Sequence, residues 1–504
     1  MSPDDTASFA AMIDRVVEMP DLDATWLAVS AELLRYCAEH PASTDEWAGL
    51  APGEPFDTIA AMHVGALAAM VTAEPGLRDL LGDAPETVVR LSFMSRATRN
   101  ALREFATREA VPHGSLPPRL HLLAVARGIA ESIDELAGDT YVHWFRARGE
   151  VVLTPGEPYP VCRRDPRRWL APHAVNTRPD NLPDRDLAQT RRLRIADAAP
   201  YTYIIDFDSW NRLSPVGASG RLTVAVGQPN RDLTDFDIAF SDEPRRTFAN
   251  LGPKDAAAQA DRIALLGAQA ARRGADILVL PEYTLTEAVH TALLERDRRE
   301  TAEPRPTVTC TGVGSGPDDD GVMTNDGRLV IHTAGFSPDH SVATPRKLHP
   351  AYIGDAVERV RVGTEIRVFV SERWTLCVLI CRDGMDDAVA AQLAAIGVNL
   401  LLVPAMSPKT ASLIGTTASL CRRSQAFVVI ANGPARWPDT ASPIDAPQAP
   451  AGHRAEAVFA GPYADLPDRF WAATVGSTND EEYEPGLWTF SFDERAVHTT
   501  DDNS

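Results

Sequence analysis

Over the first 150 residues, apolar positions recur at steps of three and four, the spacing that lines up one face of an α-helix. Five stretches follow it: SFAAMIDRVVEM, ATWLAVSAELLRYCAEH, FDTIAAMHVGALAAMVTA, PETVVRLSFMSRATRNALREFA and RLHLLAVARGIAESIDELAG. Proline, glycine or aspartate stands between them, where helices stop and start. The pattern predicts a mainly α-helical domain over residues 1–153, a bundle or a solenoid-like stack. From Thr154 to Pro200 the periodicity fades into proline and arginine, as in TPGEPYPVCRRDPRRWLAPHAVNTRPDNLPD. Residues 154–218 therefore read as an extended connector.

Past Gly220 the pattern changes again. Short apolar runs, RLTVAVGQ, ADILVLPE, PTVTCTGVG, RLVIHTAG, WTLCVLICRD, VNLLLVPA and AFVVIANG, read as strands buried on both faces. Helical stretches fall between them: PKDAAAQADRIALLGAQAARRG, MDDAVAAQLAAIG and TASLIGTTASLCRRSQ. This alternation predicts a layered α/β domain over residues 219–504. The acidic GPDDDGVMTNDG joins two strand candidates and reads as a hairpin loop without the EF-hand spacing of a calcium site. The glycine-rich TGVGSG has no helix after it, so it reads as a strand-to-loop turn rather than a dinucleotide cradle.

A chain of 504 residues with 44% hydrophobic and 24% charged residues is expected to fold as two or three domains. Its net charge of -21 makes nucleic acid and anionic membrane surfaces poor partners. The N-terminal MSPDDTASFAAMIDR lacks the basic and apolar regions of a signal peptide, and no apolar run reaches membrane-spanning length. A cytoplasmic location is the expectation. Six cysteines without a CxxC pair form neither a disulfide framework nor a zinc knuckle. A strand would hold Cys377 and Cys381 about 13 Å apart, too far for a disulfide, so free thiols are expected.

Three residues carry candidate chemistry. Glu282 ends the run ADILVLPE, and a carboxylate at the mouth of a buried strand is partly desolvated, which suits a general base near neutral pH. Cys381 closes TLCVLIC where the strand meets a polar turn; that position exposes a thiol and frees the following peptide N–H groups to bind an oxyanion. Lys347 in TPRKLHP supplies an ammonium that stabilises such an anion and favours a nearby thiolate. Taken singly, these are an ordinary strand-end glutamate, a small buried cysteine and a surface lysine. No G-x-S-x-G elbow or P-loop competes with them.

Together, in the order Glu, Lys, Cys and in the contexts LVLPE, RKLHP and LICRD, they resemble the nitrilase superfamily, the carbon-nitrogen hydrolases. The resemblance covers about residues 220–496 and extends to GVNLLLVPAMSP and PGLWTFSFDE. It implies a four-layer α-β-β-α sandwich, frequently assembled as a homodimer or higher homo-oligomer. It also implies hydrolysis of a non-peptide carbon-nitrogen bond in an amide, carbamoyl compound or nitrile, through a thioester on Cys381. Glu282 would be the base, Lys347 the oxyanion stabiliser, and no metal or organic cofactor would be needed. Relatives carry a further glutamate after the lysine loop, for which IGDAVERVRVG offers Glu358 and Asp355. Arg382 and His349 are candidates for the oxyanion site and pocket wall. Two other readings of this domain are a ligand- or partner-binding regulatory module with little turnover, and a glutaminase that feeds ammonia to a separate protein. The N-terminal domain matches no recognised family and is expected to bind a protein partner or to regulate access.

Overall fold

A computed structural model of the chain describes residues 3–21, 24–40, 54–80, 93–112, 116–153, 158–160, 190–192, 200–242, 245–299, 304–317, 323–332, 341–407, 410–424, 426–434, 455–462, 470–475, 486–492 and 496–498. Two compact units result: Met1–Arg164 with Val175–Ala198, and Asp165–Ala174 with Ala199–Ser504.

The first unit is helical, with α1 (Pro3–Glu18), α2 (Trp26–Glu39), α3 (Glu54–Ala73), α4 (Arg96–Glu109) and α5 (Pro118–Arg148). The fourth helix starts later than its apolar pattern, because Ser95 caps it: the Ser95 hydroxyl accepts the Thr98 N–H at 3.1 Å. Thr25 caps α2 in the same way. Gly128 lets α5 pass close to α3, since a β-carbon there would lie 2.5 Å from Met62 Cβ. Buried Arg99 donates to the carbonyls of Val17 and Met19 and to Asp21, satisfying the acceptors left open where α1 ends. Among the described residues no helix is long and apolar enough to cross a membrane.

The second unit is built on two sheets. One contains, in spatial order, Ser341–Arg346, Met323–Ile331, Val308–Pro317, Ile277–Val279, Thr223–Gln228, Gly486–Ser491 and Ala496–His498. The other runs Thr202–Asp206, Glu365–Val370, Thr375–Val378, Leu400–Ala405, Phe427–Asn432, Ala457–Pro462 and Phe470–Val475. The period-2 alternation of each strand separates two cores. Val224, Val226, Ile277 and Val279 of the first sheet pack with Leu400, Leu402, Phe427 and Val429 of the second between the sheets. The intervening Ala225, Leu278 and Leu280 face Ile263 and Leu266 of α6 (Ala256–Arg272) and Val289 of α7 (Glu287–Arg299). Helix α9 (Ala411–Ser424) packs on the second sheet, and α8 (Asp387–Ile396) packs against α9. Strands buried on both faces must read as unbroken apolar runs, and the product is the α-β-β-α sandwich.

Thr202–Asp206, within the tract expected to be connector, is a strand paired in parallel with Glu365–Val370. TNDG, expected in a hairpin loop, lies inside the strand Met323–Ile331, paired antiparallel with Val308–Pro317. TGVGSG likewise continues a strand rather than turning. A smaller sheet joins Phe236–Ser241, Thr247–Pro253, Ala356–Glu358 and Tyr352–Ile353. The five cysteines among the described residues, Cys37, Cys310, Cys377, Cys381 and Cys421, are free and buried.

Candidate active site

Three strand ends bring the chemistry together. Glu282 follows Ile277–Val279, and its peptide N–H donates to Ala405 O of the facing sheet at 3.4 Å. Lys347 follows Ser341–Arg346; its N–H donates to Asn325 O at 2.8 Å, and its carbonyl accepts the Gly363 N–H at 2.7 Å. Cys381 opens the 3-10 turn Cys381–Met385, just beyond Thr375–Val378. Its φ of 48° is left-handed, a conformation that costs an L-residue about 1–2 kcal/mol. Tyr283, at φ 62°, is in the same region. Two strained residues in one cluster mark a place where geometry is held for a purpose other than stability.

The ammonium of Lys347, fully buried, donates to Glu282 Oε1 at 2.7 Å and to Glu358 Oε2 at 2.6 Å. Asn325 Nδ2 joins the same two carboxylates, at 2.7 Å from Glu282 Oε1 and 3.2 Å from Glu358 Oε1. Glu358 also accepts the Tyr283 hydroxyl and the Ala351 N–H, the latter at 2.6 Å. Two carboxylates thus share one cation, and their environments separate them. Burial raises the pKa of Glu282 and the charge of Glu358 adds to the rise, against the opposing pull of Lys347. At Glu358 burial also pushes upward, but Lys347, Tyr283 and the Ala351 N–H outweigh it and hold the group below its ordinary value. Burial would lower Lys347, yet the two carboxylates hold it well above the usual lysine range.

Cys381 is 3% exposed, and its thiol lies 3.8 Å from Met406 O. Burial first, then the Glu282 carboxylate by charge and hydrogen bonding, keep its proton on, while Lys347 acts in the opposite sense. The resting thiol is therefore protonated, beside Glu282. Within the 3-10 turn the first hydrogen bond runs from the Asp383 N–H to Ile380 O at 3.0 Å. The Cys381 and Arg382 N–H groups precede it and have no partner inside the turn.

Glu358 belongs to this cluster and Asp355 does not. Asp355 is exposed on the turn before Ala356–Glu358 and pairs with Arg246 at 2.8 Å. Arg382 and His349 are next to the cluster in sequence, but their side chains are engaged elsewhere. The Arg382 guanidinium donates to Pro350 O at 2.7 Å and sits 4.5 Å over the Tyr352 ring. His349 bridges Asp383 and Asp386, each at 3.3 Å, and meets the Tyr201 hydroxyl at 3.1 Å. Asp383 ties the two loops together by accepting the N–H groups of Leu348 at 3.0 Å and His349 at 2.8 Å. Asn325, Tyr283 and Asp383 were not singled out by sequence reasoning. The available signal for Tyr283 and Asp383 was adjacency to the chosen motifs, as in PEY and CRD, and Asn325 had none. Among the described residues no group of three or more His, Cys, Asp or Glu side chains is arranged to hold a metal ion.

The carbon-nitrogen hydrolase family model matches residues 224–453, which contain Glu282, Lys347, Glu358 and Cys381. This region is a carbon-nitrogen hydrolase domain. Among solved structures, an amidase from Nesterenkonia sp. aligns at 16% identity over 54% of this chain and 89% of its own, with a TM-score of 0.37. A mutant of the amidase from Nesterenkonia sp. AN1 in complex with butyramide aligns at 16% identity over 54% and 90%, with a TM-score of 0.36. Another mutant, showing covalent addition of the acetamide moiety of fluoroacetamide at its active site cysteine, aligns at 15% identity over 54% and 90%, with a TM-score of 0.35. A comparison with curated proteins finds no match. The helical unit lies outside the region that the family model matches.

Proposed function

We propose that the hydrolase domain is a thiol amidohydrolase that cleaves a small amide through an acyl-enzyme on Cys381. The observation that carries this reading is the buried group of Glu282, Lys347 and Cys381, with Glu358 and Asn325 fixing the first two. A carboxylate of raised pKa beside a protonated thiol is matched to take that proton as the sulfur attacks.

In the first half-reaction the Cys381 proton passes to Glu282 and the thiolate adds to the amide carbonyl carbon. The resulting oxyanion is met by the Lys347 ammonium and by the Cys381 and Arg382 N–H groups. Protonated Glu282 then gives its proton to the departing nitrogen, the C–N bond breaks, and ammonia or an amine leaves. In the second half-reaction Glu282 deprotonates a water, which adds to the thioester carbonyl. Collapse of that intermediate releases a carboxylic acid, and the sulfur regains its proton from Glu282. Lys347 remains an ammonium throughout, because Glu358 stays ionised beside it. A buried lysine with a single partner would be neutralised more easily.

The test uses the full chain and a panel of short amides, N-carbamoyl compounds and nitriles, with ammonia release and intact mass as readouts. The expected result is turnover of amides and an acyl adduct that maps to Cys381 in the wild type and disappears in Cys381→Ala. Turnover that survives Cys381→Ala would overturn the mechanism. Binding of the same compounds without ammonia release from any of them would favour the regulatory, non-hydrolytic reading.

A further inference from the structure

The strand Leu400–Ala405 ends beside the nucleophile, and the residue that follows it differs from its neighbours. Ala405 and Ser407 are buried, whereas Met406 is half-buried and borders open space. The backbone on either side of it is fixed. Ala405 O accepts the N–H groups of Glu282 at 3.4 Å and Gly433 at 3.1 Å. Ser407 exchanges two hydrogen bonds with the Asn432 side chain, at 2.8 and 2.9 Å. Between these ties Met406 O accepts the Cys381 thiol at 3.8 Å. Given acyl transfer to Cys381, the reading proposed above on which this rests, we infer that the Met406 side chain is the wall against which the acyl group packs. The substrates it selects are amides of unbranched, uncharged aliphatic acids.

The thioether is aimed by its own contact. Asn250 lies on the buried face of Thr247–Pro253 together with Phe248, the residue in register with Glu358. Its Oδ1 accepts the Gly252 N–H at 2.9 Å, which fixes which way the amide points. Nδ2 is then turned to Met406 Sδ, at 3.3 Å. The side chain of Met406 therefore stretches from the nucleophile towards the inner face of the small sheet.

Three consequences define the substrate. An acyl carbon bonded to Cys381 Sγ sets the first atoms of its chain beside residue 406, and an unbranched, polarizable thioether moulds itself to an alkyl chain. Branching next to the carbonyl would need width around a sulfur that is itself buried. Charge is the third. Lys347 serves Glu282 and Glu358, and Arg382 is turned to Pro350 O and the Tyr352 ring. An ionised acyl group set against the thioether would lose its water without gaining a partner from Met406.

The experiment measures kcat/KM of the full chain for propionamide, hexanamide and succinamate in wild type, Met406→Ala and Met406→Phe. Wild type is expected to favour hexanamide over succinamate, which has a similar length but ends in a carboxylate, by about tenfold or more. The ratio of hexanamide to propionamide should rise by about tenfold in Met406→Ala, which opens the wall, and fall by as much in Met406→Phe, which closes it. General damage to the site would lower both amides together and leave the ratio alone. Unchanged ratios in both variants would overturn the role of Met406, and succinamate turned over as well as hexanamide would overturn the substrate class. Propanal and hexanal supply a readout that needs no hydrolysis. The Cys381 sulfur bonds to the aldehyde carbon, the thiol proton passes to the oxygen, and the thiohemiacetal protects the cysteine from iodoacetamide, followed by intact mass. Should wild type release ammonia from no amide, the hydrolytic reading fails and the aldehydes judge Met406. Protection ratios that shift in the same opposite directions uphold the wall, and unchanged ratios overturn it. If one variant does not melt cooperatively, the other decides alone.

Discussion

Gly312→Ala is the sharpest single-atom test of how Glu282 is held. Gly312 lies in the strand Val308–Pro317, directly behind the Glu282 turn, and is buried. A methyl group there would stand 2.8 Å from Glu282 Cα, 3.3 Å from its Cβ and 3.4 Å from its Cγ. Non-bonded carbons settle at roughly 3.5–4.0 Å, so the backbone at Glu282 would have to yield by about 0.7–1.2 Å. That backbone has little freedom: its N–H is bonded to Ala405 O, and its carboxylate is tied to Lys347 and Asn325. Overpacking of this kind costs about 1–3 kcal/mol. Removing a strand glycine returns about 0.5–1 kcal/mol, so steric strain wins. A displacement near 1 Å at a reacting group costs on the order of a hundredfold in rate. The expected outcome is a stable but slightly weakened fold with amide turnover down by about two orders of magnitude. Ammonia release and a circular-dichroism melt measure the two parts. Wild-type turnover and an unchanged melt in Gly312→Ala would refute the claim that this glycine sets the position of Glu282.

Three further outcomes follow from the electrostatics. In Glu358→Gln the negative charge that helps raise Glu282 is gone, so the acidic limb of the kcat/KM profile should move to lower pH; a limb that stays put or moves up contradicts the assignment of Glu282 as base. Lys347→Met leaves two carboxylates buried without their cation and should destabilise the domain by about 3–5 kcal/mol, read in denaturant melts; a loss under about 1 kcal/mol would mean that the pair is solvated. His349 has its pKa raised, first by its hydrogen bond to Asp383, and burial only partly offsets this. A group with a raised folded pKa adds stability that is full below its unfolded value near 6.5 and is lost as pH climbs through the folded value. The melting-temperature gap between wild type and His349→Asn should therefore be widest in mildly acidic buffer and close under alkaline conditions. A gap that widens with pH would refute the bridge to Asp383 and Asp386.

The layered fold was legible because its central strands are buried on both faces. LLLVPA and ILV have no polar position to confuse the reading, FVVIAN has only its final Asn432, and each of the three pairs in parallel within its sheet. Strands at sheet edges and in the small sheet were not legible. FDIAFS and TFANLGP mix polar and apolar residues because one side meets solvent, and Thr202–Asp206 is a short run after a proline-rich tract. In the site, Glu282 and Cys381 stood out because an ionisable residue ending an apolar strand breaks a strong pattern. Asn325 did not, since TNDG carries the composition of a turn. Its place in a strand follows from pairing with Gly314 across the hairpin, a non-local fact. TGVGSG misled for the same reason. Its glycines make room for neighbours: Gly312 for the Glu282 backbone and Gly314 for the Tyr283 ring, which a β-carbon would approach at 2.9 Å.

The choice between Glu358 and Asp355 shows what sequence spacing lacks. They stand three residues apart in one segment, and spacing alone fits neither well and does not choose between them. The difference comes from a hairpin far upstream. Glu358 pairs in parallel register with Phe248 of Thr247–Pro253, and Phe248 O accepts the Arg359 N–H at 2.7 Å. That pairing turns the Glu358 side chain into the protein, where Lys347, Tyr283, Asn325 and the Ala351 N–H meet it. The same hairpin carries Arg246, which draws Asp355 outward. One local element therefore sorts two carboxylates into different environments. Glu358 accepts more hydrogen bonds than Glu282, so in the proposed mechanism the proton that a base must gain and lose is assigned to Glu282, and the fixed negative charge beside Lys347 to Glu358. Weakening the hairpin should then disturb Glu358 before it disturbs the triad itself. Phe248→Ala would show this as a shift in the pH profile at retained thioester formation, whereas loss of the Cys381 adduct would mean that the hairpin supports the nucleophile as well.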